Sequence, residues 1–305
     1  MLARNVLIFH AGALGDFVLS WPLGLALGRL HPQSRVIYVT QRHKGDLAER
    51  VLRLEAMDVE LGWHHLFGDP EDLPEICRRK LQGAHAIYTF VAGSGDRWLD
   101  AVGAIAPEAR IVPVDVLPPH DFTSHASQRL LDRLAEHAAT RAAVGQILAS
   151  IAAGGIGATP GGWNGPVIIH PGGGSPQKCW PIESYLRLAQ TLDAVGRQCK
   201  FILGEVELER WPADLIRRIE STAKTTRPKT YVQLLDELRG GGAFVGNDSG
   251  PGHLAGIIGM PSVILFGPTD PIIWKPLGPR VMTLRSRPLG ALPVQEVYSS
   301  LGPVW

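Results

Sequence analysis

Two glycine-rich stretches in the second half of the chain carry the residue types of an anion-binding site. The first is His170–Pro181 (HPGGGSPQKCWP) and the second is Val245–Ala255 (VGNDSGPGHLA). Each follows a short apolar run typical of a buried strand and precedes a helical pattern. A strand, a glycine turn and a helix N-terminus together present free backbone N–H groups and a favourable dipole to an anion. Two such stretches predict a ligand that contains a diphosphate and a nucleoside.

The first stretch combines an accessible backbone with one cation. Gly173 and Gly174 let the backbone approach a ligand because no Cβ stands in the way. Lys178 follows shortly after them, where its ammonium could bind a phosphate as a point charge. The Gly-Lys-Ser/Thr ending of a P-loop is absent from this stretch. A tight turn with a solvated lysine is the alternative interpretation.

The second stretch holds Asp248, Ser249 and His253 around Pro251. Proline suits the first turn of a helix, so Asp248 or Ser249 would cap that helix and leave N–H groups for a phosphate. The alternatives are a plain N-cap for Asp248 and a core histidine for His253. Asp-Ser-Gly-Pro also resembles the nucleophile loop of trypsin-like proteases. Those are all-β proteins, and the Gly-x-Ser-x-Gly elbow of other serine hydrolases is absent, so we exclude this chemistry.

The N-terminal turn His10–Asp16 has a Gly-x-x-Gly spacing without the full dinucleotide fingerprint. Asp16 stands at the predicted helix start, where it could be an N-cap. We interpret it instead as a carboxylate exposed in an interdomain cleft and available as a general base. A helix N-terminus stabilises the ionised form of a carboxyl group, which weakens it as a base.

Further charged residues follow other predicted strands. Glu205 and Glu207 could place a carboxylate on a ribose, as acidic residues do in nucleotide-binding folds, or could be a solvated helix start. Arg42 and Lys44 follow the second strand, where they could bind an anionic acceptor or form a solvated turn. The histidines show no metal-binding spacing, so no metal site is expected.

Alternating strand and helix patterns must position these residues. In the first half, strands are predicted at Val6–His10, Arg35–Thr40, Val59–Gly62, Ala86–Phe90 and Ile111–Val114, and helices at Asp16–Leu30, Asp46–Leu54 and Ser124–Ala152. Pro22 would kink the first helix or start a second segment. In the second half, strands are predicted at Val167–His170, Lys200–Leu203, Ala243–Val245 and Ser262–Phe266, and helices at Ile182–Val195, Glu207–Thr222, Tyr231–Leu238 and Pro251–Ile258.

A glycine-rich segment separates the two halves. We predict an N-terminal Rossmann-like domain over residues 1–153, a linker over 154–165 and a C-terminal nucleotide-sugar-binding domain over 166–305. The C-terminal helix is able to pack back on the N-terminal domain. Repeated strand-helix alternation on both sides of the linker predicts two doubly wound α/β domains, with ligands at the carboxyl ends of the strands.

Composition places the chain among ordinary globular proteins. Its 305 residues allow two domains, with 45% hydrophobic residues, 19% charged residues and a net charge of +1 that does not favour nucleic acid. Three widely spaced cysteines suit a reducing cytosol. Asp16 interrupts the N-terminal apolar stretch, so a cleaved signal is not expected. The sequence has no run of 18 apolar residues, so a membrane span is not expected either.

Together these residues resemble the family 9 glycosyltransferases, the ADP-heptose:lipopolysaccharide heptosyltransferases. The resemblance rests on His-Pro-Gly…Lys-x-Trp-Pro at 170–181, Asp-Ser-Gly-Pro-x-His-Leu-Ala at 248–255 and Phe-Gly-Pro-Thr-Asp-Pro at 266–271. Gly15-Asp16 with Pro22 resembles the N-terminal turn of the family, and Val294–Leu301 resembles its C-terminal helix.

The resemblance implies a GT-B fold, with two Rossmann-like domains facing a central cleft, and an inverting transferase that needs no metal or other cofactor. Carried over by position, Asp16 is the general base. The implied donor-binding residues are Gly173, Gly174, Ser175, Lys178, Asp248, Ser249, Gly250 and His253, with Glu207 near the ribose and Glu205 as the alternative.

The implied reaction moves a heptose or related sugar from an ADP-sugar to an acceptor of the lipopolysaccharide-core type. The implied partners are this nucleotide-sugar donor and a lipid-linked saccharide acceptor. The location is cytoplasmic, with at most peripheral contact at the inner face of the inner membrane. The acceptor-facing region lacks a clear basic cluster beyond Arg42–Lys44, so the sequence supports the implied donor more strongly than the implied acceptor. The alternatives are another GT-B transferase, a non-catalytic nucleotide-sugar-binding protein and an NAD-dependent oxidoreductase, against which the missing fingerprint counts.

Overall fold

The structure is a computed structural model that describes residues 4–114, 119, 121–157 and 162–302. The chain divides into two compact units, Met1–Ala149 and Ser150–Trp305.

The first unit is built on a parallel sheet. Within its described residues, the five strands are β1 (Asn5–Phe9), β2 (Arg35–Thr40), β3 (Glu55–Asp58), β4 (Ala84–Thr89) and β5 (Arg110–Pro113). Their order across the sheet is β3-β2-β1-β4-β5. Its helices are α1 (Leu14–Leu30), α2 (Arg42–Leu52), α3 (Glu75–Gln82), α4 (Arg97–Ile105), α5 (Ala126–Arg133) and α6 (Ala138–Gly154), the last of which runs across the unit boundary.

The second unit repeats this plan with one strand more among its described residues. The strands are β6 (Val167–His170), β7 (Cys199–Ile202), β8 (Lys224–Thr226), β9 (Ala243–Asn247), β10 (Ser262–Phe266) and β11 (Val281–Arg285), in the order β11-β10-β9-β6-β7-β8. The helices are α7 (Ile182–Ala194), α8 (Glu205–Arg210), α9 (Ala213–Thr222), α10 (Tyr231–Arg239), α11 (Gly250–Ile257), α12 (Pro271–Trp274) and α13 (Val294–Leu301).

The strand order places one topological switch point in each sheet. The chain first builds outward from β1 or β6 on one side and then returns to pair on the other side, with β4 or β9. At such a point the loops after two neighbouring strands diverge and leave a crevice, which is where doubly wound sheets bind ligands. The predicted doubly wound α/β class is confirmed for both units.

Each unit buries its own core. The central strands β1, β9 and β10 are buried along their whole length, as expected for parallel strands covered on both faces. In the first unit, Phe9 makes edge-to-face contacts with Trp63 and Trp98 at centroid distances of 5.1 and 4.9 Å. In the second unit, Trp180 and Tyr185 form a similar pair at 4.9 Å.

Several predicted elements need correction. The third strand lies at Glu55–Asp58 rather than Val59–Gly62, because a 3-10 turn starts at Val59, where the Asp58 carboxylate accepts the Glu60 N–H. The helix predicted over 124–152 is split into α5 and α6, and that over 207–222 is split before Pro212. Pro22 lies within the single helix α1. The sequence patterns also missed α3, α4, β8 and β11.

The predicted linker, 154–165, is only partly described, since residues 158–161 lie outside the described ranges. On its N-terminal side the Ile156 N–H donates to the Ile257 carbonyl at 2.6 Å, and Gly155 adopts a positive φ of 75°. On its C-terminal side the Gly242 N–H donates to the Pro166 carbonyl at 2.8 Å. Helix α13 packs against α7 in the second unit. No described helix combines the length and apolar character needed to cross a bilayer.

Candidate functional site

The two glycine-rich loops lie side by side at the switch point of the second sheet. Strands β6 and β9 are hydrogen-bonded neighbours, with His170 opposite Gly246 in the register. The loops that leave their carboxyl ends therefore start next to each other, although the sequence separates them widely. This is the crevice in which a doubly wound sheet binds its ligand.

A cluster of four side chains joins the two loops. Lys178 Nζ donates to Asp248 Oδ2 at 3.2 Å, and the Thr269 hydroxyl donates to the same oxygen at 2.8 Å. His253 Nε2 lies 3.7 Å from the other oxygen, Asp248 Oδ1. Asp248 and His253 are buried, whereas the Lys178 side chain keeps 31% of its surface exposed. One cation at the end of the cluster thus remains accessible to a ligand.

The surroundings keep Asp248 ionised. Burial on its own would raise the pKa of this carboxyl group, because a charged group loses hydration. The interactions with His253, Lys178 and Thr269 outweigh that effect, so the pKa of Asp248 lies below its usual value. The carboxylate therefore holds the lysine and the histidine in fixed positions at neutral pH.

The start of α11 supplies backbone donors next to this cluster. Ser249 is the N-cap in an extended conformation, but its hydroxyl donates to the Asn247 carbonyl at 3.1 Å rather than capping the helix. The first helical bond runs from the His253 N–H to the Ser249 carbonyl at 3.1 Å. The preceding N–H groups, including that of Gly250, belong to the first turn and lack helical acceptors. This end of α11 can bind an anion.

The first loop presents an open backbone. A Cβ at Gly174 would meet no atom within 4 Å, whereas a Cβ at Gly173 would lie 3.1 Å from Cys179 Sγ. The Ser175 carbonyl accepts the Lys178 N–H at 3.0 Å and so helps to orient the lysine. The structure thus brings Gly173, Gly174, Ser175 and Lys178 to one side of the crevice.

Sequence reasoning missed Asn247, which ties the loops together. Its Oδ1 accepts the Trp180 N–H and the Tyr185 hydroxyl, both at 2.9 Å. Its Nδ2 donates to the carbonyls of Pro171 and Gly172 at 2.8 and 3.0 Å. These four bonds use two donors and two acceptor positions, which is the full capacity of an amide. Asn247 is the last residue of β9, two residues beyond the predicted end of that strand, and its uncharged side chain gave no signal in the sequence.

Glu207 lies beneath the first loop. Its carboxylate is buried, accepts the Gly204 N–H at 2.8 Å and lies 3.7 Å from His170 Nε2. Burial lowers the pKa of His170 despite the opposing charge of Glu207, so this histidine stays neutral. A Cβ at Gly172 would overlap the Glu207 carboxylate. Glu205, the alternative ribose ligand, is exposed at the start of α8. The ribose contact of either residue stays a prediction.

A second cluster forms at the switch point of the first sheet, at the carboxyl end of β1. Asp16 lies half-buried in the first turn of α1, which begins at Leu14 rather than at Asp16, and the N-cap is Ala13 rather than Asp16. Lys44 is 1% exposed and donates from Nζ to the Gly12 carbonyl at 2.5 Å. Burial and the Lys44 charge lower the pKa of His10 to about 3, so the imidazole is neutral. Burial lowers the pKa of Lys44 as well, and the charge of Asp16 opposes this shift.

The two residues predicted to bind an acceptor are separated. Arg42 is exposed at the start of α2, beside a cavity of about 140 Å³ that Asp46, Glu49 and Asp58 also line. Lys44, two residues later, points into the protein. The sequence pattern missed this difference because it started the helix at Asp46 rather than Arg42.

A larger cavity in the first unit also escaped sequence reasoning. It has a volume of about 810 Å³ and lies at the carboxyl ends of β4 and β5. Its lining includes Phe90, Ser94, Asp132 and Glu136. The Phe90 ring lies 5.2 Å from the His10 ring, which connects the cavity to the Asp16 cluster. Within the described ranges, no group of three or more His, Cys, Asp or Glu side chains could hold a metal ion.

Comparison with known proteins places this geometry in a family. The model of glycosyltransferase family 9 (heptosyltransferase) matches residues 123–304. The chain is 30% identical over 116 residues to lipopolysaccharide heptosyltransferase 3 of Escherichia coli K12, which is 36% of this chain and 33% of the relative. It is 29% identical over 117 residues to lipooligosaccharide heptosyltransferase 2 of Haemophilus influenzae, with the same two shares of 36% and 33%. The match thus spans about a third of these relatives.

Solved structures match over the whole chain. The E. coli heptosyltransferase WaaC with ADP superposes with a TM-score of 0.70 and 16% identity, covering 99% of this chain and 100% of that one. A family 9 glycosyl transferase from Veillonella parvula gives 0.72 and 16%, covering 99% and 97%. These likenesses confirm the expected GT-B fold. Because the family model matches more than half of the chain, the chain belongs to glycosyltransferase family 9.

Proposed function

We propose that the chain is an inverting glycosyltransferase that moves a heptose from an ADP-sugar to a saccharide acceptor of the lipopolysaccharide core. The observation that carries the proposal is the crevice between β6 and β9. There the accessible ammonium of Lys178 and the first turn of α11 lie on two neighbouring loops. Family membership and the ADP-bound structural neighbour support the choice of donor.

The diphosphate of the nucleotide sugar would be bound by hydrogen-bonding groups that the folded protein already holds in place. The Gly250 end of α11 offers backbone N–H groups, and Lys178 adds a positive charge already fixed by Asp248. Such preorganised groups stabilise the negative charge that develops on the leaving diphosphate. They supply this stabilisation without a metal ion, so we propose that the reaction needs neither a metal nor another cofactor.

Asp16 would accept the proton of the acceptor hydroxyl as that oxygen attacks the anomeric carbon of the donor. One bond forms to the acceptor oxygen while the bond from the anomeric carbon to the diphosphate breaks. A single displacement of this kind inverts the anomeric configuration. The carboxylate is half-buried in the first turn of α1, at the carboxyl end of β1.

The acceptor would enter the cavity at the carboxyl ends of β4 and β5. Its volume of about 810 Å³ is enough for a saccharide of a few units. Serine and carboxylate side chains there, Ser94, Asp132 and Glu136, are suited to sugar hydroxyl groups. We propose that the acceptor is lipid-linked and that the enzyme is cytoplasmic, with peripheral contact at the inner face of the inner membrane.

The test is a turnover assay with ADP-heptose as donor and heptose-deficient lipopolysaccharide as acceptor. Turnover is measured as the release of ADP. We expect release to depend on both substrates, and Asp16→Asn to abolish turnover while ADP binding is retained. Asp214→Asn, at an exposed aspartate in α9, is the matched control. Wild-type turnover in Asp16→Asn would refute the base assignment.

Donor choice is tested separately by a thermal-shift comparison of ADP, UDP, GDP and NAD. A ligand at 100 times its dissociation constant stabilises the folded state by about 2.7 kcal/mol. We expect ADP to give the largest shift. A larger shift with UDP or GDP would favour another nucleotide sugar, and one with NAD would favour an oxidoreductase. ADP binding without turnover would favour a non-catalytic nucleotide-sugar-binding protein.

A further inference from the structure

Lys44 is a buried cation that the reaction outlined above leaves without a role. Its exposure is 1%, so its ammonium does not reach solvent and does not meet a ligand directly. An ammonium group loses strong hydration on burial and is retained inside a protein only when acceptors replace that water. The acceptor that the structure provides is the Gly12 carbonyl at 2.5 Å.

The Gly12 turn is packed directly against Asp16. A Cβ at Gly12 would lie 3.2 Å from Asp16 Cβ and 3.3 Å from Asp16 Oδ2. Lys44 therefore binds the same peptide that the Asp16 side chain packs against. Displacement of this turn would displace the carboxylate as well.

The same lysine supplies the positive charge beside Asp16. The titratable groups that the structure places at this turn are His10 from β1, Asp16 from α1 and Lys44 from α2. His10 is neutral because burial and the nearby ammonium lower its pKa to about 3. The Asp16 carboxylate lies close enough to interact with the Lys44 ammonium, because its charge opposes the lowering of the Lys44 pKa that burial causes.

Helix packing fixes where Lys44 can lie. A Cβ at the next residue, Gly45, would come within 2.8 Å of Ala56 Cβ, so α2 lies unusually close to β3 here. The Lys44 N–H donates to the Gln41 carbonyl at 2.9 Å in the first turn of the helix. The ammonium is thus delivered to the turn by rigid elements rather than by a loop.

We infer that Lys44 is a positioning residue for the base Asp16, on which it acts by holding the Gly12 turn in place. This inference rests on the proposed function, because it assumes that Asp16 accepts the acceptor proton. It assigns Lys44 a role through Asp16, in place of direct contact with the acceptor.

The test compares Lys44→Met, which removes the charge at similar volume, with Lys44→Arg, which keeps it. Arg50→Met, at an exposed position of the same helix, is the control. The kcat with ADP-heptose and heptose-deficient lipopolysaccharide is measured together with the ADP dissociation constant. We expect Lys44→Met to lower kcat by about 100-fold, the scale of a small misplacement of a catalytic group. Its ADP affinity should not change, and Lys44→Arg should restore most of the lost kcat.

Amide hydrogen exchange over residues 11–16 gives a readout that does not depend on activity. We expect faster exchange in Lys44→Met than in the wild type or Arg50→Met. Wild-type kcat and wild-type exchange in Lys44→Met, with Asp16→Asn inactive, would overturn the inference while leaving the proposed function intact. Full activity of Asp16→Asn would instead refute the base itself.

Discussion

The backbone N–H of Trp180 donates to the side-chain Oδ1 of Asn247 at 2.9 Å, across 67 residues of sequence. This bond and the three others made by the Asn247 amide connect the loop after β6 to the end of β9. The two walls of the candidate donor site are thus held at a fixed spacing by one buried side chain.

Replacing Asn247 by alanine should therefore disturb stability and binding together. Each buried group that loses its partner costs about 1–3 kcal/mol, so we expect a loss of about 3 kcal/mol in the free energy of unfolding. We also expect weaker ADP binding, because the loops lose their common anchor. Urea unfolding and calorimetric titration with ADP measure the two effects.

Asn5→Ala is the matched control for this change. Asn5 is a buried strand asparagine of the first unit, and its Nδ2 donates to the Lys80 carbonyl at 3.1 Å. The Asn5→Ala variant should lose some free energy of unfolding but should bind ADP with unchanged affinity. Equal ADP affinity in Asn247→Ala and the wild type would show that the amide does not organise the site.

Replacing Lys178 by methionine should chiefly weaken nucleotide binding. A hydrogen bond to a charged group contributes about 1.5–3 kcal/mol, so the ADP dissociation constant should rise by about 10–100-fold. The wild-type affinity should also fall more steeply with salt than that of the variant. Titration calorimetry at several ionic strengths measures both, with Lys229→Met at an exposed position of the same unit as control. Unchanged affinity would reject the phosphate role.

The ion cluster around Asp248 should make a pH-dependent contribution to stability. The pKa of Asp248 lies below its usual value of 3.8, so the folded state favours the ionised form more than the unfolded state does. This contribution is present above the unfolded pKa and is lost as the pH falls through the lower folded value. The difference in unfolding free energy between the wild type and Asp248→Asn should therefore shrink below about pH 4.

Urea unfolding of both proteins between pH 7 and pH 3 would measure that difference. Asp214→Asn provides the baseline for removing an exposed aspartate from the same unit. A constant difference over the whole range would mean that Asp248 is not stabilised in its ionised form.

Filling the cavity of about 810 Å³ in the first unit should weaken acceptor binding without weakening ADP binding. Ser94→Trp places a large side chain at its lining, and we expect the acceptor KM to rise at least tenfold, or about 1.4 kcal/mol. The ADP dissociation constant should stay the same. Ser221→Trp, on the exposed surface of the second unit, controls for the added indole. An unchanged acceptor KM would place the acceptor elsewhere.

Much of the fold could be predicted because buried parallel strands leave a clear signature. The strands Arg35–Thr40, Val167–His170 and Ser262–Phe266 were predicted with the bounds that the structure has. Edge strands were harder, since β3 has the sequence Glu-Ala-Met-Asp and is only half-buried. Its strand character comes from pairing with β2, which is information that a local pattern does not contain.

In the candidate site as well, local sequence patterns identified residues but did not identify their contacts. Lys178 and Asp248 were selected from their own loops, but their contact follows from the pairing of β6 with β9, which the sequence does not state. Asn247 has no charge and sits in a strand, so nothing marked it as the residue that joins the loops. Lys44 was grouped with Arg42 because both follow the same strand, whereas the helix that begins there turns one inward and the other outward.

The separate cores of the two units bear on how the chain melts. One is organised around Phe9, Trp63 and Trp98, the other around Trp180 and Tyr185. A chain with two cores need not unfold as one cooperative system, so a single midpoint is not a property of the whole molecule. A nucleotide held by the second unit would delay the melting of that unit, and tryptophan fluorescence, with indoles in both cores, would report a blend of two transitions.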